Sequence, residues 1–417
     1  MAVRYGVPYK GSKNQIAGWI VSQLPKRKNF YDLFAGGCAV THRAMLTNKF
    51  ENFVINDITD VPSLFLGAVN GKYAEEKRWI SREDFYSLKG KDPYIRYCWS
   101  FGNNGKGYLY SKEIEPWKKA LHYARLFNDF SLLKEFGIKT DRADRMTVKK
   151  NADEWKKKYI LWYCKKVLHS SLDVLELQKN LNENIKRNSE ELRNYLVAGL
   201  KKANKRPCDV DRYLGTNGMA GHYFGKSQWE FPTREVYIKL QDFLVLPLDY
   251  EKIYGLQELL QSLKSLKSLG SLKSLKSLES LQSLGSLKRL FATQKSYNEV
   301  EILPDSLIYC DIPYKNTSGY IGEFNHEEFY NWCREQKELL IISEYTMPDD
   351  FICIAQKGKR VLYGDKKVKF ATEKLFIPKH QEELYNSLTI KERVKNAENG
   401  LLFTIDYLDE LSKKSIA

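Results

Sequence analysis

The segment from Asn29 to Val40 constrains the fold most strongly, because a short apolar run leads directly into two glycines and then into a helical pattern. This order predicts a strand, a glycine turn and a helix. Glycines in such a turn let the backbone approach a ligand closely, and Asp32 places a carboxylate at the carboxyl end of the first strand. A second apolar run, Phe53 to Asp57, ends in an acid about twenty residues further on. In an α/β sheet that binds a nucleoside, a carboxylate at that position meets the ribose hydroxyls.

The glycine pattern narrows the choice of ligand. Cys38 stands where a further glycine of the dinucleotide-binding pattern would be expected. The turn is therefore not typical of a protein that binds a pyrophosphate. A nucleoside without phosphates, such as S-adenosylmethionine (AdoMet), fits the pattern better.

Four residues in the last third of the chain, Asp311-Ile312-Pro313-Tyr314, follow the apolar run 306–310. A buried strand that ends in a carboxylate, a rigid proline and an aromatic ring presents a flat slot with a polar edge. Such a slot suits a planar ring with an exocyclic amine, because the acid and a backbone carbonyl accept its two N–H groups while the tyrosine stacks on the ring. The alternative is an ordinary turn after a buried strand.

A loop near the N-terminus, Tyr9-Lys10-Gly11-Ser12-Lys13, precedes the amphipathic run Asn14 to Leu24 and so leads into a predicted helix. Taken alone, it is equally typical of a capping loop with surface lysines.

Together, and in this order, these segments resemble the class α N6-adenine DNA methyltransferases, the Dam-type family. In that family a Lys/Trp-x-Gly-Gly/Ser-Lys loop is followed by an acid-x-Phe-x-Gly motif, a ribose-binding acid, a target-recognition insert and Asp-Pro-Pro-Tyr. The resemblance covers about residues 4–70 and 300–380. It implies an α/β fold, a Rossmann-like AdoMet-dependent methyltransferase sheet with a large, mainly helical target-recognition insert. Two departures, Ile312 for a proline and Cys38 for a glycine, remove no side chain that the chemistry needs.

The resemblance implies a role for each matching residue. The target base would leave the duplex stack, its N6 would donate to Asp311 and to the carbonyl of Ile312, and Tyr314 would stack on the ring. In-line methyl transfer would then depend on positioning and preorganised electrostatics, with no metal. The expected catalytic residues are Asp311, Pro313 and Tyr314, and the expected AdoMet-binding residues are Tyr9, Lys13, Asp32, Phe34, Gly36, Asp57 and Asp311.

The implied function is site-specific transfer of a methyl group from AdoMet to N6 of adenine in duplex DNA by base flipping. Two alternatives stay open, an RNA N6-adenine methyltransferase and a catalytically inactive nucleic-acid-binding protein with the same fold. The expected partner is double-stranded DNA, and no obligate protein partner is evident. The enzyme could be an orphan or phage methylase, or it could act beside a cognate restriction endonuclease specific for the same site.

Composition agrees with a nucleic-acid partner. The 417 residues carry a net charge of +15, which favours a polyanion, although AT-rich genomes also produce chains rich in lysine. The seven cysteines show no C-x-x-C and no metal spacing, as expected for free thiols in a reducing cytoplasm. No signal peptide and no apolar run of membrane length is evident. A cytoplasmic protein without a membrane partner is therefore expected.

The chain is longer than one core usually occupies, and the α/β pattern stops between about residues 85 and 300. We expect residues 1–84 and 301–417 to form the AdoMet-binding catalytic domain and residues 85–300 to form the target-recognition insert. Residues 141–206 carry 17 basic and 9 acidic side chains, a net of +8, on helical patterns with interleaved aromatics. This favours contact with phosphates; the alternative is a helix that buries its aromatics and solvates its lysines.

Two loops of the expected insert are candidates for contact with ligands. Residues 99–108, rich in glycine and asparagine, either shape the AdoMet or DNA cleft or form a plain surface loop. Residues 221–233 have a pattern typical of a loop or hairpin, in which Lys226, Gln228 and the following Arg234 could read base edges. A hairpin packed by its own aromatics is the alternative.

Leucine recurs at every third residue from Leu263 to Leu290, mostly after a serine. In an α-helix such leucines would precess by about 60° per step and give no stable apolar face. We therefore interpret residues 260–290 as a length-variable spacer within the insert. A 3₁₀-like or irregular helix, a compact solenoid and a disordered linker stay open as its structure, and a leucine-rich-repeat partner surface is the functional alternative.

After Tyr314 the α/β pattern returns. Asn325 can cap a helix together with Glu328. Residues 339–345 predict a buried strand, and residues 351–355 and 370–377 predict a closing hairpin whose second half resembles the late strand of the family.

Overall fold

The computed structural model describes residues 4–167, 181–226, 229–246, 269–285, 289–314, 324–362 and 368–389. Within these ranges the chain forms two compact units, one from the described parts of Met1–Tyr108 and Ser271–Ala417 and the other from those of Leu109–Gly270. No helix in the described ranges is long and apolar enough to cross a membrane.

The first unit is built on a mixed sheet, whose seven strands in the described ranges follow the order β3-β2-β1-β4-β5-β7-β6. Strands β1 to β5 run parallel to one another, and β7 runs antiparallel to β5 and β6. Every residue of β1, β4 and β5 is buried, as expected for central parallel strands covered on both faces. The strands are β1 (Asn29–Asp32), β2 (Asn52–Asn56), β3 (Arg289–Thr293), β4 (Ser306–Cys310), β5 (Leu339–Glu344), β6 (Phe351–Leu362) and β7 (Val368–Pro378).

The strand order reverses between β1 and β4, because the chain passes from β1 through β2 to β3 and then returns to the other side of β1. Ligands of open α/β sheets bind at the carboxyl ends of the strands at such a reversal. In the register of the sheet Asp32 is aligned with Ile55 of β2 and Tyr309 of β4. Asp57 and Asp311 follow those two residues closely, so three carboxylates come to one edge of the sheet.

Helices surround the sheet and make up most of the second unit. Asn325 caps α14 by accepting a hydrogen bond from the Glu328 N–H, as predicted, and Ser81 and Asp84 form a capping box at α4. The helices are α1 (Ala17–Gln23), α2 (Ala39–Met45), α3 (Val61–Val69), α4 (Arg82–Leu88), α5 (Glu115–Leu126), α6 (Ser131–Glu135), α7 (Arg145–Lys150), α8 (Ala152–Lys166), α9 (Leu181–Lys202), α10 (Pro207–Leu214), α11 (Ala220–Phe224), α12 (Arg234–Leu244), α13 (Gly270–Glu279) and α14 (His326–Glu335).

The second unit buries the aromatics that the sequence places among its lysines. Trp155, Tyr159 and Tyr163 of α8 are buried, and Trp117 of α5 packs against the first two. A second core joins α9, α10, α11 and α12 through apolar side chains such as Leu196, Val210, Phe224 and Tyr237. The simpler interpretation is therefore confirmed for these aromatics of α8, which stabilise the unit and are not a binding surface.

The stretch predicted as a loop or hairpin around residues 221–233 begins with α11, so the prediction is wrong for residues 221–224. Tyr223 and Phe224 are buried in the core of the second unit, and this burial favours the helix. Lys226 is exposed, and Arg234 is the exposed first residue of α12. Gln228 lies outside the described residues.

The structure describes residues 269–285 of the leucine triplets, and there it differs from our expectation of a spacer without a stable apolar helix face. Residues Gly270–Glu279 form an α-helix with Leu275 and Leu278 buried, and Leu281 and Leu284 stay buried through a turn and a 3₁₀ segment. A shift of about 60° per leucine disperses the leucines around the helix, and so removes its apolar face, only over a long run. Within ten residues the leucines stay on one side of the helix, and the 3₁₀ segment then matches the period of three.

The remaining C-terminal expectations are confirmed, since β5 is a buried strand and β6 pairs with β7 as an antiparallel hairpin. The expected insert boundaries, 85 and 300, differ from those of the second compact unit, which are 109 and 270. Residues 85–108 belong to the first unit, and β3, inside the expected insert, is an edge strand of the sheet.

Candidate active site

A cavity of about 890 Å³ opens at the carboxyl edge of β1, β2 and β4. Asp32, Asp57 and Asp311, which follow or end three strands, all line it. The cavity therefore lies where the strand order reverses, and the predicted cofactor-binding residues Tyr9, Lys13, Phe34 and Gly36 line it as well.

The glycine turn between β1 and α2 is closely packed against the N-terminal loop. A Cβ at Gly37 would lie 2.8 Å from the Cβ of Tyr9, and one at Gly6 would lie 2.1 Å from the carbonyl oxygen of Gly37. Cys38, which replaces an expected glycine, has φ 57° and ψ 32° and is fully buried. It therefore adopts the left-handed conformation that glycine usually supplies, and the departure in sequence leaves the turn intact.

Asp32 is a buried acid with one satisfied oxygen. Its Oδ2 accepts a hydrogen bond of 2.6 Å from the Thr41 hydroxyl, whereas its buried Oδ1 accepts none from the described residues. Burial is the largest cause that raises the pKa of Asp32, the hydrogen bond from Thr41 opposes it, and with the charges of Asp311 and Asp57 the pKa comes to about 7. A buried acceptor without a donor is costly, and Oδ1 of Asp32 therefore has room for a hydrogen bond from a ligand in the cavity.

Asp57 braces the turn. Its Oδ2 accepts from the Gly36 N–H at 2.9 Å, and its Oδ1 accepts from both the N–H and the hydroxyl of Thr59. A carboxylate has about four lone-pair sites, so these three bonds leave it able to accept one more. This is compatible with the predicted contact to a ribose hydroxyl, although most of its capacity serves the fold.

An aromatic wall forms one side of the cavity. The ring of Phe34 stacks on Tyr297 with centroids 5.4 Å apart and meets Phe324 edge-on at 5.6 Å. Tyr297 and Phe324 also line the cavity, and Phe329 packs behind them. A planar heterocycle fits such a wall. Of these rings only Phe34 was identified from the sequence.

Lys13 joins the N-terminal loop to the predicted catalytic motif. Its Nζ lies 2.9 Å from Asp311 Oδ1 and 3.1 Å from Glu373 Oε1 and also donates to the Tyr314 hydroxyl. Burial acts to lower the pKa of Lys13, but the two carboxylates outweigh it and raise the pKa, so the ammonium stays charged. The expected contact of Lys13 with a cofactor is thus joined by three contacts to protein groups.

Tyr314 lies in a different setting from the one expected of a stacking residue. Its hydroxyl donates to Glu373 and lies 3.3 Å from Ser343 Oγ, and its ring meets Tyr345 edge-on at 4.5 Å. The side chain is buried and does not line the described cavity. Burial raises the pKa of its phenol strongly, which keeps it protonated.

The other two residues of the tetrapeptide have structural explanations. Ile312, which replaces the family proline, is buried in the same apolar core as Phe329 and Tyr330. Pro313 lines the cavity, and its carbonyl lies 2.9 Å from Nε2 of His326. That contact fixes the backbone that follows the strand.

The loop 99–108 shapes the cavity, since Asn104, Gly105 and Lys106 line it. Ser100 is buried, and its hydroxyl accepts from the Gly105 N–H at 2.9 Å. Phe101, by contrast, is 72% exposed. The first of the two sequence interpretations, a loop beside the cleft, is thus confirmed for the cavity.

The family model of the D12 class N6 adenine-specific DNA methyltransferases matches residues 9–226, more than half of the chain. The chain belongs to this family. It is therefore an AdoMet-dependent enzyme that methylates N6 of adenine in DNA. No curated protein matches the sequence significantly.

The cavity fits the cofactor that this adenine methyltransferase requires. AdoMet is a cation with an adenine ring and a ribose, and the site offers a buried acid with an unsatisfied oxygen, an aromatic wall and a further carboxylate, Asp57. Among the described residues no cluster of His, Cys, Asp and Glu could hold a metal ion. The expectation of metal-free chemistry stays a prediction.

Sequence reasoning missed several residues of the site. Glu373 and Ser343 come from β7 and β5 and reach the catalytic motif only through strand pairing. Tyr297 and Phe324 lie beyond the motifs on which the resemblance depends. An acid within a predicted strand, between Thr372 and Lys374, was the available signal for Glu373.

Proposed function

We propose that the enzyme methylates an adenine flipped out of duplex DNA, with Asp311 as the group that accepts a hydrogen bond from N6. The observation that carries the proposal is the position of Asp311. Its carboxylate lines the cavity beside Asp32, is partly exposed, and is held 2.9 Å from the Lys13 ammonium. A partly exposed acid that lines the cavity can accept an N–H from a base that enters it.

The cofactor would be held by the residues that line the same cavity. Asp32 would face its positive charge, Asp57 its ribose and Phe34 its adenine, while Tyr9 and Gly36 would close around it. Bound AdoMet supplies an electrophilic methyl group. Because Lys13 is already engaged by two carboxylates, its principal role in this proposal is to orient Asp311.

The exocyclic nitrogen of adenine is a weak nucleophile, because its lone pair is delocalised into the ring. Hydrogen bonds from N6 to Asp311 and to the carbonyl of Ile312 would favour the pyramidal amine and orient its lone pair. Tyr314 would need to leave its contact with Tyr345 to stack on the base. From its hydrogen bonds we therefore propose that Tyr314 holds Lys13 and Glu373 in place. Stacking of its ring on the target base is the alternative role.

We propose that the second compact unit, Leu109–Gly270, is the target-recognition insert. Support comes from the net charge of +8 over residues 141–206 and from the exposure of Lys226 and Arg234. The partner would be duplex DNA, and the family match favours DNA over RNA. A cytoplasmic location, supported by the seven free thiols, and action without an obligate protein partner are part of the same proposal.

The experiment compares Asp311→Ala with wild type for methylation of unmethylated duplex DNA. A matched control is Glu301→Gln, which neutralises an exposed acid in the loop before the same strand. We expect Asp311→Ala to lose turnover while AdoMet and DNA still bind, and the control to keep it. Activity above about a tenth of wild type in Asp311→Ala would contradict the role of Asp311, since a tenfold loss corresponds to only about 1.4 kcal/mol.

Phe101 offers a separate test of base flipping. Its exposed ring stands on the loop that lines the cavity through Asn104, Gly105 and Lys106, so it can enter the stack that the adenine vacates. With 2-aminopurine at the target position, Phe101→Ala should reduce the fluorescence gain on binding. Leu46→Ala, which removes another exposed apolar side chain of the same unit, should not. Equal fluorescence in both variants would exclude Phe101 from flipping.

A further inference from the structure

Glu373 is a carboxylate with no exposed surface, and it lies on β7 more than fifty residues beyond the catalytic motif. Its Oε1 accepts a hydrogen bond of 2.5 Å from Ser343 and another from Tyr314, and lies 3.1 Å from Lys13 Nζ. Burying a charge is costly unless it is paired and hydrogen-bonded. Three partners on one oxygen meet that requirement, and one of them, Tyr314, belongs to the predicted catalytic motif.

Lys13 Nζ is held by three protein groups, since it lies 2.9 Å from Asp311 and 3.1 Å from Glu373 and also donates to the Tyr314 hydroxyl. Glu373 is the deepest of the three, and Asp311 is the one that faces the cavity. The buried Glu373 carboxylate therefore fixes the position of the Lys13 ammonium relative to Asp311.

The charges lead to the same conclusion. Two carboxylates share one ammonium, so Asp311 is oriented by Lys13 without being fully neutralised by it. With Glu373 uncharged, Lys13 would pair with Asp311 alone. The carboxylate would then be drawn toward the lysine and would be a weaker acceptor for an amine.

We propose that Glu373 is a positioning residue for methyl transfer: through Lys13 and Tyr314 it holds the Asp311 carboxylate where N6 of the target adenine must donate. The inference rests on the role proposed above for Asp311. Glu373 touches neither DNA nor cofactor in this account. Its effect belongs to the chemical step and not to the binding of either substrate.

The test uses the full chain and measures methyl transfer to unmethylated duplex DNA under single-turnover conditions, together with binding of AdoMet and DNA. We expect Glu373→Gln to lower the rate by at least tenfold, since a displacement of about 1 Å can cost about 100-fold. Its KM for DNA and Kd for AdoMet should stay within about twofold of wild type. Glu338→Gln is the control, because Glu338 accepts a hydrogen bond from the N–H of Ser306 at the amino end of β4, whereas the cavity lies at the carboxyl ends of the strands.

A double-mutant cycle separates positioning from simple stability. If Glu373 acts through Lys13, the rate loss of Glu373→Gln with Lys13→Ala should be close to that of Lys13→Ala alone. Independent, additive losses would overturn the inference. So would a Glu373→Gln rate within about threefold of wild type while Asp311→Ala is inactive.

Activity in Asp311→Ala would contradict the proposed function itself, so the two failures are distinguishable. If Glu373→Gln does not fold, Ser343→Ala replaces it, because it removes the 2.5 Å bond to the same oxygen and leaves the charge in place. A folded Ser343→Ala with a wild-type rate overturns the inference. A slower rate with unchanged binding supports it.

Discussion

AdoMet affinity should rise steeply with pH through the neutral range, because Asp32 must be ionised to face a cation. Burial, together with the charges of Asp311 and Asp57, raises the pKa of Asp32 to about 7 in the cofactor-free enzyme. Below that pH the acid is mostly neutral, and only the ionised fraction is competent for tight binding. The apparent Kd is the intrinsic Kd divided by that fraction.

The expected size follows from the pKa. The ionised fraction is about 0.03 at about pH 5.5 and about 0.75 at about pH 7.5, so Kd should fall about 25-fold across this interval. Binding at the lower pH should also release close to one proton per AdoMet. The interval ends below the range in which an α-amino group, such as that of AdoMet, titrates, about 7.7–8.0.

Isothermal titration calorimetry in buffers of different ionisation enthalpy measures both quantities. Asp32→Asn is the matched variant, because it keeps the size of the side chain but cannot ionise, and it should bind AdoMet weakly with little dependence on pH. His42, also buried near the turn, does not interfere, because burial lowers its pKa to about 4. A wild-type Kd that varies less than about twofold, or the same slope in Asp32→Asn, would refute the reasoning.

The raised pKa of Asp32 also determines how the stability of the folded protein changes with pH. The folded-state pKa of Asp32 lies above the unfolded value, so its contribution to stability is fully present below the unfolded pKa and is lost as pH rises through about 7. The cofactor-free protein should therefore lose stability over this range, and Asp32→Asn should lose less.

Two further predictions concern stability, each checked by chemical denaturation of the full chain. Gly6→Ala should destabilise the protein by about 3 kcal/mol or more, because the new Cβ would lie 2.1 Å from the Gly37 carbonyl oxygen at φ +73°. Gly11→Ala, with φ +79° and open space around it, should cost only about 1 kcal/mol, and equal losses would contradict the packing argument. Leu278→Ala in the leucine triplets should cost about 2–5 kcal/mol because the side chain is buried, whereas exposed Lys276→Ala should cost less than about 0.5 kcal/mol. A Leu278→Ala variant as stable as Lys276→Ala would restore the interpretation of this stretch as a spacer.

The sheet was predictable because its central strands are buried on both faces and therefore read as continuous apolar runs. Asp32, Asp57 and Asp311 each end or follow such a run, and parallel strands bring those ends to one edge. Local pattern and global topology agree here. The edge of the sheet that carries the candidate site could thus be predicted from the sequence.

The parts that were missed depend on contacts between distant segments. Glu373 reaches Lys13 across 360 positions of the chain, through the pairing of β7 with β5. No local periodicity encodes such a contact. The helix of the triplet repeat was missed for another reason: a general rule about long helices was applied to one of ten residues.

The backbone of Cys38 shows a limit of motif reading. Cys38 replaces a glycine of the family pattern, yet its backbone holds the left-handed conformation, at φ 57°, that a glycine would supply. Its side chain is fully buried. Tyr314 shows the converse case, since its identity matches the family but its hydrogen bonds place it away from the cavity.

The most direct test of the central claim is long-read sequencing of genomic DNA from a methylation-free host that expresses this protein, with Asp311→Ala as the control. The account predicts N6-methyladenine in one short sequence motif, absent in the control, and that motif would also identify any cognate restriction endonuclease. Unmodified DNA in both samples, from soluble protein that binds AdoMet, would contradict it.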